Sequence, residues 1–382
     1  MSELPVSDEA YQDAILPHVS RTFALTIPQL PTALRTAVTS AYLLCRIADT
    51  IEDEPAIAAE DTYRFLQRFT RVVQGREDAG RFAREVLPRL SSRSLPAERE
   101  LLGNTPRVMR VVERFETRQR AAIRRCIAVM GHGMHQFQRT ASLRGLERST
   151  DLDAYCYYVA GIVGETLTEL FCGYSPQIER HYGELYALAP SFGQGLQMTN
   201  ILKDVWEDRA RGACWLPQEL FSRYGVELAT LTPEGSDARF QAGMLELIGI
   251  AHRHLRNALA FTLLIPGEEA GIRRFCLWAI GLAALTLRRI QDNPGFTAGR
   301  QVKVSRSAVA MTQTLTNLSV RNDAMLRRLF ERAARGLPLA GEVPLRAPGV
   351  PPAHLAGLDD DEDEEEDALQ GPGGRQCGGS SQ

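Results

Sequence analysis

The 382-residue sequence lacks the features of a secreted, disulfide-bonded or membrane-spanning protein. Its seven cysteines are odd in number, widely spread and contain no C-x-x-C pair, which argues against a disulfide framework and a cysteine zinc site. The N-terminus carries acids where a signal peptide would carry basic residues and then an apolar run. The longest apolar run, at 275–287, is too short to cross a bilayer as a helix, so we expect a buried core helix there. We therefore expect a cytoplasmic protein with reduced thiols.

The sequence also has little net charge, because 44 basic side chains oppose 47 acidic ones and the formal net charge is -3. A run of consecutive acids at 359–367 hides an asymmetry, since the rest of the chain is mildly basic. Such a body suits an anionic small molecule or a membrane surface, and it lacks the dense basic patch that nucleic-acid binding requires. We therefore expect no nucleic-acid partner, and with a membrane only peripheral contact.

Alternating strand patterns are absent, and the periodicity is helical almost throughout. Breaks with Pro, Gly and Ser separate helical patterns at 32–54, 60–87, 107–140, 151–172, 184–208, 237–264, 270–292 and 305–335. A hydrophobic fraction of 44% is enough for a sizeable core, so we predict one all-α domain over residues 1–335. From 336 to 382 the chain turns to Pro, Gly and acidic residues, which predicts a disordered tail.

Two acidic motifs echo each other: DTIED ends the helical pattern at 32–54, and DVWED ends the pattern at 184–208. Their acids are Asp49, Glu52, Asp53, Asp204, Glu207 and Asp208. Residues four apart lie one turn apart on a helix, so each motif places two carboxylates on one face. Oxygen ligands of this kind suit Mg²⁺, which takes one or two carboxylates together with water and substrate phosphates. A pair of solvated acidic helix ends is the alternative.

Polar neighbours favour the metal-site interpretation. Tyr42 and Arg46 precede the acids of the first motif on one helical stripe, so a hydroxyl and a cation share their face. Gln197 and Asn200 precede the second motif on a similar stripe. Two such faces across a helical cavity would hold a diphosphate through Mg²⁺ and stabilise it as a leaving group.

With these motifs the sequence resembles the squalene/phytoene synthase family of head-to-head prenyl-diphosphate condensing enzymes. The resembling segments are SRTF at 20–23, YLLCRIADTIEDE at 42–54, CIAVMGHGMHQF at 126–137, YCYYVAGIVGETLTELF at 155–171 and GQGLQMTNILKDVWEDRARGACWLPQELF at 193–221. Within the family the chain is more similar to the squalene-type members. The pointers are DTIEDE, CWLPQE, and Phe275 and Cys276 before QVKVSR at 301–306.

The resemblance implies an isoprenoid-synthase-type bundle of helices around a central cavity. The implied metal ligands are Asp49, Glu52, Asp53, Asn200, Asp204, Glu207 and Asp208. The implied substrate contacts are Ser20, Arg21, Phe23, Arg46, Gln197, Asn200, Phe275, Cys276 and Lys303. Tyr42 and Tyr155 match tyrosines that the family places beside the reacting carbons, where either would transfer a proton or stabilise a carbocation. For Tyr155, ordinary helix packing is an equal alternative.

The implied activity is Mg²⁺-dependent condensation of two farnesyl diphosphates to presqualene diphosphate, followed by NADPH-dependent reduction to squalene. Lys303 and Arg306 are the implied nicotinamide contacts, but Ser305 stands where the eukaryotic pattern has a second basic residue, which weakens the NADPH assignment. No Gly-x-Gly-x-x-Gly motif precedes a helix, so any NADPH would bind through scattered contacts. The alternatives are a phytoene, dehydrosqualene or hydroxysqualene synthase with a non-reductive second step. A noncatalytic prenyl-lipid-binding relative is disfavoured because all four aspartates are present.

Two glycines, two histidines and the lack of an anchoring helix give further expectations. Gly161 and Gly164 each cost about 1 kcal/mol relative to Ala inside a helix, so they either clear a channel for a prenyl tail or let another helix pack closely. His132 and His135 have no third ligand nearby, which favours core or solvent positions over a metal site. Eukaryotic members end in a membrane-anchoring helix that this sequence lacks, so we expect a bacterial-type soluble enzyme and favour a monomer.

Overall fold

The computed structural model describes residues 7–20, 22–139, 141–343 and 345. Helices dominate the described residues, among which no strand occurs. The α-helices are α1 (Asp8–Val19), α2 (Phe23–Thr26), α3 (Thr32–Glu52), α4 (Ala59–Val73), α5 (Ala79–Val86), α6 (Pro96–Gly103), α7 (Thr105–Val112), α8 (Thr117–Gln138), α9 (Ser149–Cys156), α10 (Ile162–Tyr174), α11 (Pro176–Glu179), α12 (Tyr182–Lys203), α13 (Val205–Ala210), α14 (Gln218–Arg223), α15 (Ala238–Leu264), α16 (Ala270–Asp292), α17 (Arg306–Ser319) and α18 (Asp323–Ala333). A π-helical turn at Tyr157–Gly161 joins α9 to α10, and 3₁₀ turns lie at Ile27–Gln29, Leu87–Arg89, Leu228–Thr230 and Gly299–Val302. The prediction of an all-α fold is confirmed.

Glycines let α12 pack closely at the centre of the bundle, between α10 and α15. A Cβ on Gly164 of α10 would lie 1.9 Å from the carbonyl oxygen of Ala189, and a Cβ on Gly193 would lie 1.9 Å from that of Ala160. Any larger residue would therefore push the backbones apart. Close helix packing accounts for Gly164, although Gly164 also borders a cavity.

The long apolar run lies in α16, which packs inside the bundle. By length and composition alone, α16 is the one helix among the described residues that could cross a membrane, yet 67% of its apolar window is buried in the fold. Arg273, near its start, is buried, donates to Ile265 O at 2.7 Å and pairs with Asp323 at 2.6 Å. This burial is the arrangement of a core helix, as the sequence predicted.

Four predicted helices are each divided in two, namely those at 60–87, 107–140, 184–208 and 305–335. Gly75 has φ of +79° between α4 and α5, a conformation that ends a helix. Asp204 separates α12 from α13 with φ -99° and ψ 16°. Asn322 caps α18, its side chain accepting from Met325 N at 3.0 Å. Periodicity does not register such single-residue breaks, and it also missed α1 and α6.

The chain stays packed against the bundle beyond residue 335, where the predicted tail begins. Leu337 is buried, Ala340 N donates to Gly249 O at 3.1 Å, and Arg253 Nη2 donates to Ala340 O at 3.0 Å. The acidic run at 359–367 lies outside the described residues.

Candidate active site

Two cavities adjoin inside the bundle. One is apolar and is lined by residues of α2, α3, α8, α10, α12 and α16 and of the turns at Ile27–Gln29 and Tyr157–Gly161. The other is polar and is lined by both acidic motifs. Asp49, Val159, Gln197 and Asn200 line both cavities. A ligand with a charged head and an apolar tail would therefore find a complementary surface for each part.

The two acidic motifs meet across the polar cavity, which Asp49, Asp53, Asp204 and Asp208 all line. Arg211, which follows α13, lies between the motifs. Its Nη2 is 2.5 Å from Asp208 Oδ1, and its Nη1 is 4.0 Å from Asp53 Oδ1. The fold thus gathers carboxylates that are distant in sequence, and it adds a cation that the motifs did not reveal.

Partial removal from bulk water raises the pKa values of four acids at the polar cavity, namely Asp49, Glu52, Asp53 and Asp208. It raises the pKa of Asp49 to about 7, where Arg46, 3.6 Å away, opposes the shift and the Asp53 charge adds to it. Burial is also the main cause that raises the pKa values of Glu52, Asp53 and Asp208. Close carboxylates with raised pKa values are electrostatically unfavourable, and a divalent cation would relieve that repulsion.

The acids of the second motif make different contacts. Lys203 Nζ lies 3.0 Å from Asp204 Oδ2 and 3.4 Å from Asn200 Oδ1 at the polar cavity. Glu207 instead accepts from Gly299 N at 2.8 Å and is not among the residues that line the polar cavity. The expectation that Glu207 joins the other acids around a metal is therefore not met by this arrangement, in which Glu207 fastens the turn at 299–302.

Aromatic side chains predicted to contact substrate lie in the apolar cavity. The Phe23 ring is 5.3 Å from the Tyr42 ring and 6.4 Å from the Phe275 ring, and all three line this cavity. The Tyr42 hydroxyl donates to Val19 O at 3.0 Å, and burial raises its pKa. Ser20 Oγ accepts from Phe23 N at 3.1 Å, so Ser20 fixes the start of α2.

Tyr155 borders the polar cavity and also packs against aromatic neighbours. Its position thus has features of both alternatives, a place beside the reacting carbons and ordinary helix packing. Its ring stacks on Trp215 at 4.2 Å with an interplanar angle of 8°, and Phe137 meets it edge-on at 5.3 Å. Burial, and then the charge of Glu52, raise the pKa of Tyr155 well above its usual value. Trp215 also lines the polar cavity, a position that its sequence motif did not predict.

Three predicted contacts, Cys276, Lys303 and Arg306, are not brought into the site, and a fourth cannot be placed. Arg21 lies outside the described residues. Cys276 is fully buried and lines neither cavity, because consecutive residues of a helix point about 100° apart and Phe275 takes the cavity side. Lys303 and Arg306 are exposed and also line neither cavity. The turn that ends at Val302 leaves both basic side chains in solvent.

No group of three or more His, Cys, Asp or Glu in the described ranges is arranged to hold a metal by itself. The His135 ring stacks on the Tyr63 ring at 3.7 Å, a packing role.

The helical fold, with an acidic pocket beside an apolar cavity, defines a protein of the isoprenoid synthase class. A family model described as squalene/phytoene synthase matches residues 16–308. Squalene synthase BSS of Botryococcus braunii is 30% identical over 81% of this chain and 65% of its own length. The squalene synthase of Rattus norvegicus is 29% identical over 79% of this chain and 68% of its own length. The chain belongs to the squalene/phytoene synthase family.

Solved structures agree with this membership. A complex of TcSQS with a ligand has a TM-score of 0.66 and 25% identity, covering 86% of this chain and 98% of that protein. A dehydrosqualene synthase in complex with a ligand, 22% identical, shares the fold with a TM-score of 0.58, covering 80% of this chain and 94% of that protein. The chain spans only 65% of the Botryococcus braunii relative and 60% of the Candida albicans relative.

Proposed function

We propose that this protein condenses two farnesyl diphosphates head to head to presqualene diphosphate and converts that intermediate to squalene. The observation that supports this most is the junction of the cavities at Asp49, Gln197 and Asn200. A diphosphate held by the acidic motifs would place its prenyl chain in the apolar cavity, with the reacting carbon near the junction.

The carboxylates that line the polar cavity fit Mg²⁺. Asp49, Glu52 and Asp53 would hold ions from one side, and Asn200, Asp204 and Asp208 would hold them from the other. When bound, Mg²⁺ neutralises charge on the diphosphate and makes it a better leaving group.

Basic and amide side chains would hold the diphosphates in register. Arg46, Lys203 and Arg211 line the polar cavity, each beside an acid, and each would donate to phosphate oxygens. Gln197 and Asn200, at the junction, would orient the second diphosphate. These contacts position the two substrates, which is the main requirement for joining two bound molecules.

The apolar cavity would protect the cationic intermediates. Its walls are mainly hydrocarbon and aromatic, so water that would quench an allylic cation is kept out. The Tyr42 hydroxyl is engaged with Val19 O while its ring borders the cavity, where it would stabilise positive charge. Tyr155, at the polar cavity, is the other candidate for proton transfer.

We propose the reductive ending with NADPH from the similarity to squalene synthases. Lys303 and Arg306 are exposed and line neither cavity, so these two residues do not fit a nicotinamide site beside the acidic motifs. The same placement favours a second candidate, in which a phytoene, dehydrosqualene or hydroxysqualene synthase ends without reduction. We further propose that the enzyme is a cytoplasmic monomer in peripheral contact with a membrane.

Product analysis tests the proposal. Purified protein is incubated with farnesyl diphosphate and Mg²⁺, with and without NADPH, with an Asp49→Asn variant as the blank. Squalene only with NADPH, and presqualene diphosphate without it, would establish the two-step reaction. A C30 product indifferent to NADPH would support the non-reductive ending. No consumption of farnesyl or geranylgeranyl diphosphate would leave the noncatalytic relative as the better description.

A further inference from the structure

Helix α17 exposes large apolar side chains along one stripe. The exposed fractions are 58% for Met311, 38% for Leu315 and 81% for Leu318, and the spacing of four and three residues aligns them on one face. Met325, on the neighbouring α18, is 40% exposed. Single exposed apolar residues are ordinary, whereas a contiguous stripe marks an interaction surface.

The face of the same helix that packs on the bundle carries small and polar side chains, whereas surface helices usually bury their large apolar ones. Thr316 and Ser319 are buried, and Thr312 lies so near α16 that a Cβ on Gly281 would be 2.9 Å from its methyl group. The apolar stripe lies roughly 100° around the helix from these buried residues, along the edge of α17 that borders a groove, and it stays exposed.

The C-terminal segment that carries this stripe has an excess of positive charge. Between residues 300 and 335 the chain has eight basic side chains and two acidic ones. Both acids are already paired with the bundle beneath, Asp323 with Arg273 at 2.6 Å and Glu331 with Arg256 at 2.8 Å. The exposed Arg321, Arg327 and Arg328 thus leave this face with a net positive potential.

A groove continues the apolar surface between α17, α18 and α16. Met311 and Leu315 form part of its wall. Arg288 and Arg332 also line it, so guanidinium groups lie beside hydrocarbon.

We propose that α17 and α18 form a docking surface for an anionic lipid bilayer. Apolar side chains flanked by arginines are the arrangement with which an interfacial helix enters the headgroup region. A second copy of the chain would bring two positive faces together in a symmetric contact, which is unfavourable. The acidic run at 359–367 has the right charge but no apolar side chain to cover Leu318. A bilayer with anionic headgroups matches both parts of the face.

Such docking would orient the enzyme. The turn at 299–302, which Glu207 holds against the second acidic motif, precedes α17 by only a few residues. The membrane would thus lie on the side of the bundle formed by the C-terminal helices. The binding does not depend on the proposed reaction, since it is measured on the full chain without substrate.

Vesicle co-sedimentation tests the surface. The full chain is mixed with vesicles of phosphatidylcholine alone or of phosphatidylcholine with phosphatidylglycerol. We expect binding to the anionic vesicles, weakened about tenfold or more in the double variant Leu315→Gln/Leu318→Gln. A similar loss is expected for Arg327→Gln/Arg328→Gln, together with a weaker dependence on salt. The matched control is Leu245→Gln, which changes a leucine of α15 with 40% exposure.

Four outcomes would overturn the proposal. The first is wild-type protein that stays in the supernatant with both vesicle types, and the second is an L315Q/L318Q variant that binds like wild type. The third is self-association that is lost in that variant, and the fourth is binding that appears only when the acids at 359–367 are replaced by Gly and Ser. The third identifies a second copy as the occupant, and the fourth identifies the acidic tail. Thermal unfolding of each variant confirms that the chain is folded in every comparison.

Discussion

Arg211 and Asp53 lie 4.0 Å apart, from Nη1 to Oδ1, although they belong to opposite walls of the polar cavity. The same guanidinium is 2.5 Å from Asp208 Oδ1. A single cation therefore links the ends of the two acidic motifs and offsets part of their repulsion. In the proposed enzyme it occupies the region where a diphosphate and its Mg²⁺ would lie.

Replacing Arg211 should impair substrate binding more than folding. We expect Arg211→Gln to lower kcat/KM by about tenfold to a hundredfold, because a charge-assisted contact to the diphosphate is lost. Its side chain is 58% exposed, so the free energy of unfolding should change by less than about 0.5 kcal/mol. Steady-state kinetics and urea unfolding measure the two effects. Arg239→Gln is the control, since Arg239 is similarly exposed and pairs with Asp237. Equal kinetics in both variants would remove Arg211 from the site.

The first aspartate of each acidic motif, Asp49 and Asp204, should be essential for turnover. We expect Asp49→Asn and Asp204→Asn each to reduce kcat by about a thousandfold, because each removes a ligand for the ion that stabilises the leaving group. Asp61→Asn, in α4 and paired with Arg64, should leave kcat unchanged. Circular dichroism should show the same helix content in all three. Full activity in both site variants would contradict the assignment.

Without a divalent metal, Asp49→Asn should not destabilise the protein at neutral pH. Burial raises the pKa of Asp49 to about 7 from an ordinary value of 3.8, so its contribution to stability is complete below the ordinary value and is lost as pH rises through 7. Asparagine does not ionise, so the variant does not lose this stability as pH rises. Thermal midpoints at pH 6 and pH 8 in the presence of a chelator should therefore differ less in the variant than in wild type.

The contact of α10 with α12 should not tolerate a methyl group. Gly164→Ala places a Cβ 1.9 Å from Ala189 O, so we expect a loss of about 3 kcal/mol in the free energy of unfolding. Gly183→Ala in α12 meets nothing within 4 Å and should be neutral or stabilising by up to about 1 kcal/mol. Urea unfolding of both variants checks the pair. Equal stability would show that the two helices separate easily.

His254 should make folding sensitive to acid. It is buried, its Nδ1 is 3.1 Å from Ser191 Oγ, and burial lowers its pKa to about 4 from 6.5. Because the folded pKa is depressed, this residue's contribution is intact above pH 6.5 and is lost as pH falls toward 4, by up to about 3 kcal/mol. Unfolding free energies of His254→Gln should show less loss over this range than wild type. His181→Gln, at an exposed histidine, should follow wild type.

Much of the fold was predictable because amphipathic helices repeat their apolar residues with the period of the helix. The predicted patterns at 237–264 and 270–292 agree with α15 and α16 almost to the residue. The points at which predicted helices divide were not predictable. Gly75 and Asp204 end helices through their backbone conformation and leave the apolar pattern unchanged. The short α6 depends on tertiary contacts, among them the ion pair of Glu98 with Arg46.

The sequence by itself determined the helical class of the fold, the family and the chemistry of the two acidic motifs, because residue type and spacing suffice for each. Only the tertiary structure decided which residues share a cavity. It placed Arg211 between the motifs, turned Glu207 to Gly299 and left Lys303 outside both cavities. It also left the apolar stripe of α17 exposed. These outcomes depend on how one helix is rotated against another, and that rotation is set by packing across the whole bundle.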